Sequence, residues 1–368
     1  MKKYDVAAYI WPAYTGDETR SRIFWPEGYG EWETVKAAKC LYPGHEWPRK
    51  PLWGYCNEAD PYVMEMQIEA AIDHGVNVFI YDWYWYDNRP YLEQCLDNGF
   101  LKAKNRSKMK FYIMWANHDV TYGWDRRISK LDYDTVVWKG AVSEEQFKII
   151  ANRWLDNYFC LDEYYKIDNK PVLSIYDLQN LIDGLGGIEN ANKKLCWLDE
   201  EAKKRGFNGV HYQLIKYGKV KANLSGFDTN QTELTPKELT KYLPLSSLTH
   251  YQYVHFSNMN EDYSRIMKRV RNEWQECVND FNIPYYPHVS IGWDNTPRYS
   301  NHTNNVVKNN PPEEFEKALI EAKELANKTG VNLITINSWN EWTETSYLQP
   351  DDRYGYGYLN AVKKVFSV

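Results

Sequence analysis

The stretch Gly75-Val76-Asn77-Val78-Phe79-Ile80-Tyr81-Asp82-Trp83-Tyr84-Trp85-Tyr86 decides the fold. Just ahead of it, Ala59–His74 carries Met64, Ile68, Ala71 and Ile72 at helical spacing, and Gly75 suits the residue that ends a helix. Val76–Tyr81 is then apolar apart from Asn77, as expected of a parallel strand covered on both faces. A helix feeding such a strand is half of a βα repeat. The run closes on a carboxylate and a cluster of rings, where a parallel strand would deliver functional side chains.

The same alternation recurs along the chain. The pattern predicts strands at Val6–Ile10, Val76–Tyr81, Lys110–Trp115, Pro171–Tyr176, Phe207–Gln213, Leu248–Tyr253, Tyr285–Ile291 and Asn332–Asn337. Helices are predicted at Ala59–His74, Tyr91–Lys104, Glu144–Tyr158, Ile188–Arg205, Asp262–Phe281, Pro312–Thr329 and about Tyr356–Phe366. The signal after the fifth strand is weak, across Lys216–Leu245. Eight such units imply an α/β fold, a (β/α)8 barrel of the TIM type with long βα loops, the first spanning about residues 11–58. No linker or composition shift divides residues 1–368, so a single domain is expected. A doubly wound sheet would show a Gly-rich first turn, and Trp11-Pro12-Ala13-Tyr14 is not one.

Composition narrows the function. The formal net charge is −6, which argues against nucleic acid or an anionic membrane surface as partner. The apolar runs, such as Val78–Tyr81, are all far short of the about 20 residues of a spanning helix. Val6–Ile10 is too short for a signal peptide. The sequence as given therefore reads as cytoplasmic, or as periplasmic or secreted if a leader once preceded it. The six cysteines form no C-x-x-C pair, so buried free thiols are expected, with Cys40 and Cys56 close enough in one loop to pair. No His spacing suggests a metal site, and no cofactor is implied. The 16 Trp and 31 Tyr are the unusual feature. Such rings suit a wet, sugar-stacking cleft, or bulk in a large core.

Their positions favour the cleft. The predicted strand ends read Trp11-Pro12-Ala13-Tyr14, Asp82-Trp83-Tyr84-Trp85-Tyr86, Trp115-Ala116-Asn117-His118-Asp119, Tyr176-Asp177, Gly292-Trp293-Asp294-Asn295 and Ser338-Trp339-Asn340-Glu341-Trp342-Thr343-Glu344. Five of these six ends combine rings with carboxylates. Glu341 and Glu344 would share one face of a helical turn past the last strand, a spacing compatible with a glycosidase carboxyl pair. A solvated acidic turn, or a Glu capping the next helix, fits the spacing too. His118 beside Asp119 reads as a base with its orienter or as a structural pair. Glu31-Trp32 sits in the first loop as a lid over the cleft or as edge packing. Asp132-Tyr133-Asp134 is read as a solvated loop and Gly184–Gly187 as a connection.

Several ordered motifs resemble the glycoside hydrolase family 99-like proteins, which include the WbsX-like glycosyltransferases of polysaccharide biosynthesis. They are Tyr9–Tyr14, Gly30-Glu31-Trp32-Glu33-Thr34-Val35-Lys36, Gly44-His45, Phe79–Trp85, Met114–Asn117, Gly292–Arg298 and Ser338–Trp342. The resemblance implies a barrel acting on a bacterial or host oligosaccharide or polysaccharide, without metal or cofactor. It implies catalytic roles for Glu344, as the general acid/base, and for Glu341, as the base toward the sugar 2-hydroxyl in a retaining reaction through an anhydro-sugar. Substrate contacts are expected from Trp11, Tyr14, Glu31, Trp32, Asp82, Trp83, Trp85, Trp115, Asn117, Trp293, Asp294, Arg298, Asn340, Trp342 and Tyr347. The sequence departs from the family pattern at His118, where a Glu is usual, and at Thr345-Ser346-Tyr347. The expected activity is hydrolysis of an α-linked glycan, mannan-like or other. The alternatives are a glycosyltransferase of lipopolysaccharide or surface-polysaccharide synthesis and a non-catalytic glycan-binding barrel.

Overall fold

The structure, a computed structural model, describes residues 3–128, 132–222, 233–299 and 305–367. Eight strands form the barrel: β1 (Asp5–Ile10), β2 (Val78–Tyr86), β3 (Lys110–Trp115), β4 (Lys170–Ile175), β5 (His211–Ile215), β6 (Leu245–Thr249), β7 (His288–Ser290) and β8 (Leu333–Asn337). Neighbours in sequence are neighbours in space and all are parallel, with β8 returning to pair with β1. Between β6 and β7 closure rests on a single parallel bridge, Leu248 to Tyr285, with the Leu248 and Tyr286 amides donating to the Pro284 and Leu248 carbonyls.

Helices cover the outside: α1 (Trp32–Ala37), α2 (Pro61–Asp73), α3 (Glu144–Trp154), α4 (Leu178–Gly184), α5 (Ile188–Lys204), α6 (Pro236–Leu239), α7 (Tyr263–Asp280), α8 (Pro312–Thr329) and α9 (Gly357–Phe366). Their ends follow local chemistry. Asp60 accepts from the Tyr62 amide ahead of Pro61, and Ser143 accepts from the Gln146 amide.

The (β/α)8 architecture expected from the sequence is the one observed, with departures in detail: the sixth strand is Leu245–Thr249 and not Leu248–Tyr253, the seventh shrinks to His288–Ser290, and two others have a local cause. The helix expected at Tyr91–Lys104 begins instead as a strand. Asp87 and Asn88 both have positive φ, 54° and 58°, so the chain turns tightly and Arg89–Tyr91 pairs back on Tyr84–Tyr86. Only a π turn (Cys95–Gly99) and a 3-10 turn (Phe100–Lys102) follow. The fifth strand starts later than expected, at His211, because Gly209 has φ 109° and the Val210 amide is taken by the Asp199 carboxylate. The stretch after β5 carries a short hairpin of Val220–Lys221 with Glu233–Leu234; residues 223–232 lie outside the described residues.

β2 is buried over all nine residues, and period-2 alternation sends its side chains to two different layers. Trp83 packs outward on Trp154, as does Trp115 of β3. Inside the barrel the core is polar and paired: Tyr112 donates to Gln213, and Thr335 meets both Thr249 and His288. The cysteines are all free. Cys95 and Cys277 are buried, whereas Cys40, Cys160 and Cys196 are exposed and Cys56 is half-buried, so neither the Cys40–Cys56 pairing nor uniform burial is seen.

Candidate active site

Beyond β8 the chain makes a compact turn. The Ser338 hydroxyl accepts from the amides of Asn340 and Glu341 at 3.1 and 2.7 Å. Asn340–Glu341 pairs antiparallel with Ser346–Tyr347, and the 3-10 turn Trp342–Glu344 fills the space between. Residues three apart eclipse in such a turn, so Glu341 and Glu344 open into the same space. Asn340 stitches this turn to the end of β1: its side chain accepts from the Trp11 amide at 2.8 Å and donates to the Trp11 carbonyl at 2.9 Å. It also donates to Glu58, which accepts from Gln67 and Gln349 as well and which burial pushes up to about 7.

A cavity of about 350 Å³ lies at this end of the barrel, lined by Asp82, Tyr84, His118, Tyr251, Arg298, Glu341 and Glu344 among others. Arg298 organises it. Its Nε and Nη2 donate to Glu31 Oε1 at 3.1 and 2.9 Å, and its Nη1 donates to Glu344 Oε1 at 3.0 Å. Nη2 also lies 3.9 Å from Glu341 Oε2. One guanidinium therefore touches three carboxylates. Glu31 arrives from the first loop, where the Trp11 indole also donates to it.

Burial holds the Glu341 carboxyl well above the usual carboxylate range; the adjacent Glu344 charge adds to this and Arg298 opposes it. Glu344 is raised by burial and held back by Arg298. Asp82 is raised well above its ordinary value by burial, against the pull of the Tyr251 hydroxyl. Asp82 Oδ1, Glu341 Oε2 and Glu344 Oε2 are buried without a hydrogen-bond partner among the described residues. Three unsatisfied carboxyl oxygens in one cavity form an acceptor set for hydroxyl groups.

His118 shows a different arrangement from the base-and-orienter reading. Its Nδ1 lies 2.8 Å from the Asp119 backbone carbonyl, so that nitrogen carries the hydrogen. The Asp119 carboxylate is turned to Lys139, the Gly140 amide and Asn180. Burial lowers the His118 pKa, which leaves a neutral ring with Nε2 as an acceptor.

Of the residues expected to touch substrate, Trp11, Asp82 and Arg298 line this cavity with the glutamates. Glu31 is fully buried behind Arg298. Trp83 and Trp85 face the helix layer, donating to Glu93 and Gln146, and Trp115 packs on Phe147 and Trp154. Tyr14, Trp32, Trp342 and Tyr347 form a buried aromatic stack beneath the turn. Asn117 ties β3 to β4 through the Asp177 backbone, and Asn340 is the clamp already described. Trp293 and Asp294 line a separate cavity of about 440 Å³, where Asp294 pairs with His45 at 2.8 Å. Asp132 and Asp134 are exposed. Sequence reading did not select Tyr84, Met114, Ala116, Trp124, Tyr176, Tyr217 or Tyr251, all of which line the cavity. Tyr84, Met114 and Ala116 were within reach, since they alternate with Trp83 and Trp115. Among the described residues, the one cluster with metal-ligand spacing is His250, Glu273 and Cys277. There the Lys216 ammonium already pairs with Glu273.

A family model described as Glycosyltransferase WbsX matches residues 6–362. The WxcX protein of Xanthomonas campestris pv. campestris (strain B100) is 25% identical over 349 residues, which are 94% of this chain and 47% of that protein. The chain thus spans about half the length of the curated relatives it matches. Among solved structures, the GH99 endo-alpha-mannosidase from Bacteroides thetaiotaomicron superposes with a TM-score of 0.59 at 15% identity, covering 98% of this chain and 95% of that one. A glycoside hydrolase-like protein gives 0.60 at 15% identity, covering 100% and 95%. These two are likenesses of fold.

Proposed function

The chain belongs to the WbsX glycosyltransferase family, and from that premise we propose that it hydrolyses an α-linked glycan with retention of configuration. The observation that carries this reading is the carboxyl cavity: Glu341 and Glu344 at the two ends of one turn, spanned by Arg298, each with an oxygen free for substrate. In the first step the sugar 2-oxygen attacks the anomeric carbon and its proton passes to Glu341. The glycosidic bond breaks, and the leaving oxygen takes the proton of Glu344. In the second step water opens the anhydro-sugar at the anomeric carbon, gives its proton to Glu344, and Glu341 returns its proton to the 2-oxygen. Two inversions give net retention. Burial raises both carboxyls, Glu341 the further, so the assignment of acid and base follows the resemblance of Asn340–Glu344 to the family motif and not these shifts.

The family description favours transfer from a nucleotide-sugar as the second reading. A diphosphate needs an unspent cation or a metal. Among the described residues Arg298 is the one Arg or Lys lining the cavity, and Glu31 and Glu344 occupy it. Asp132-Tyr133-Asp134 does not line it. These features support hydrolysis over transfer.

The test is incubation with a panel of α-linked oligosaccharides, read by mass spectrometry, beside calorimetry with nucleotide-sugars. Cleavage that disappears in Glu344→Gln is expected. Binding of a nucleotide-sugar with transfer and no cleavage would replace the proposal by the second reading. Glycan binding without turnover would make the chain a binding barrel.

A further inference from the structure

The Tyr251 hydroxyl lies 2.7 Å from Glu341 Oε1 and 2.9 Å from Asp82 Oδ2. A phenol has one proton to donate, and an ionised carboxylate can only accept. If both carboxyls were ionised, one of these two contacts would be a buried repulsion between oxygens. Both are satisfied only when one carboxyl carries a proton and donates to the phenol oxygen while the phenol donates to the other.

We infer that the order of this chain is Asp82 to Tyr251 to Glu341, so that Asp82, acting through Tyr251, is a positioning residue for the base carboxyl. The inference rests on the proposed role of Glu341. One feature sets the direction. Asp82 and Glu341 are each 3% exposed with one buried oxygen unpartnered among the described residues, so burial disfavours a charge on both, but Asp82 makes no contact with a cation. Glu341 has Arg298 within 3.9 Å, which favours its anion. The Tyr251 phenol keeps its own proton, because burial and the neighbouring carboxyls raise it well above its ordinary value.

The Glu344 carboxyl bears on Asp82 as well as on Glu341. Glu344 and Glu31 face Glu341 through Arg298, whereas Tyr9 and His255 pack on the Tyr251 ring at 4.8 and 6.2 Å. Tyr84 and Tyr176 complete the wall. Among these, Arg298 is the one permanent cation, and it sits on the Glu341 side of the chain.

In function, the phenol holds Glu341 Oε1 so that Oε2 stays turned to the cavity, where the sugar proton would arrive. Glu341 accepts that proton on Oε2 and becomes neutral, while the Asp82 and Tyr251 protons stay in place. Asp82 thus fixes orientation and takes no net proton during turnover.

Two measurements test the inference independently of each other. The first needs no activity: at neutral pH the infrared spectrum of the wild-type protein contains a protonated-carboxyl band that is missing in Asp82→Asn. Absence of that band overturns the inference. Its presence in a protein that cleaves nothing would count against the proposed hydrolysis alone. The second is the acidic limb of kcat/KM against pH, which reports ionisation of Glu341. Asp82→Asn, which still donates to Tyr251, is expected to lower the rate about tenfold and leave the limb in place. A limb moved to lower pH would mean that a negative charge had been removed, and Asp82 would be the anion. Tyr251→Phe takes away the donor to Glu341. It is expected to lower kcat/KM about 100-fold and move the limb up by about one pH unit. An unmoved limb in Tyr251→Phe would overturn the relay even if Asp82→Asn fails to fold.

Discussion

Two cavities open near the ends of β7 and β8, the one lined by Trp293, Asp294 and Thr345 and the other by Arg298, Glu341 and Glu344 among others. The larger holds His45, Asp294, Arg49 and Glu46, all paired: His45 with Asp294, Arg49 with Glu46 and Asp351. Among its buried polar side-chain atoms, Trp293 Nε1 alone lacks a partner among the described residues. The smaller leaves three carboxyl oxygens unpartnered. Size and charge content do not separate the two, but hydrogen-bond accounting does. A cavity whose polar groups satisfy one another is a structural joint. A cavity with acceptors left over is prepared for something that brings donors.

The comparison can be broken by mutation. The largest effect is expected for Glu344→Gln and Glu341→Gln, with cleavage falling by about 1,000-fold or more and glycan binding retained, measured by product analysis and calorimetry. Next comes Arg298→Gln. Arg298 restrains the Glu344 pKa, so its removal raises that pKa further. An acid must be protonated to act, so the basic limb of kcat/KM is expected to move to higher pH, with a loss of about 100-fold in rate. A limb moving to lower pH would mean that Glu344 is not the acid. His45→Ala, in the paired cavity, leaves Asp294 buried without its partner. It is expected to cost about 3 kcal/mol in denaturant unfolding while kcat changes little. A collapse of kcat with intact stability would show that the larger cavity is part of the chemistry. The smallest effect on turnover is expected for Trp83→Phe. It loses the bond to Glu93 and about 1–2 kcal/mol of stability, with KM unchanged.

Trp83 also shows how far the sequence can be read. The barrel was legible because each βα unit repeats one pattern: an amphipathic helix, a stop, a short buried run. Pro312–Thr329 is found at the expected residues, since Pro sits at its start and Gly330 in the left-handed region ends it. The rim of the barrel was legible as a place, and Glu341 and Glu344 were readable as a pair. What was not legible is which face each rim residue takes. Asp82-Trp83-Tyr84-Trp85 looks like one aromatic patch in sequence, yet alternation splits it between cavity and helix layer. Tyr217 stood in a stretch with weak patterning and Tyr251 within the strand expected at Leu248–Tyr253, and nothing local marks either as a cavity residue. Their role comes from closure of the barrel, which brings β6 against residues 90 or more positions away in sequence, as in the bond from Tyr251 to Glu341.

The Arg298 hub has one more consequence. Its bond to Glu31 joins residues 267 positions apart, and its bond to Glu344 joins residues 46 apart. Loop-closure entropy delays such contacts until the intervening chain has been ordered. The charged centre is therefore complete only once segments 267 positions apart in sequence have come together. Under the proposed hydrolysis, turnover would report the completed barrel, and a chain that has formed its secondary structure without closing the ring would be silent.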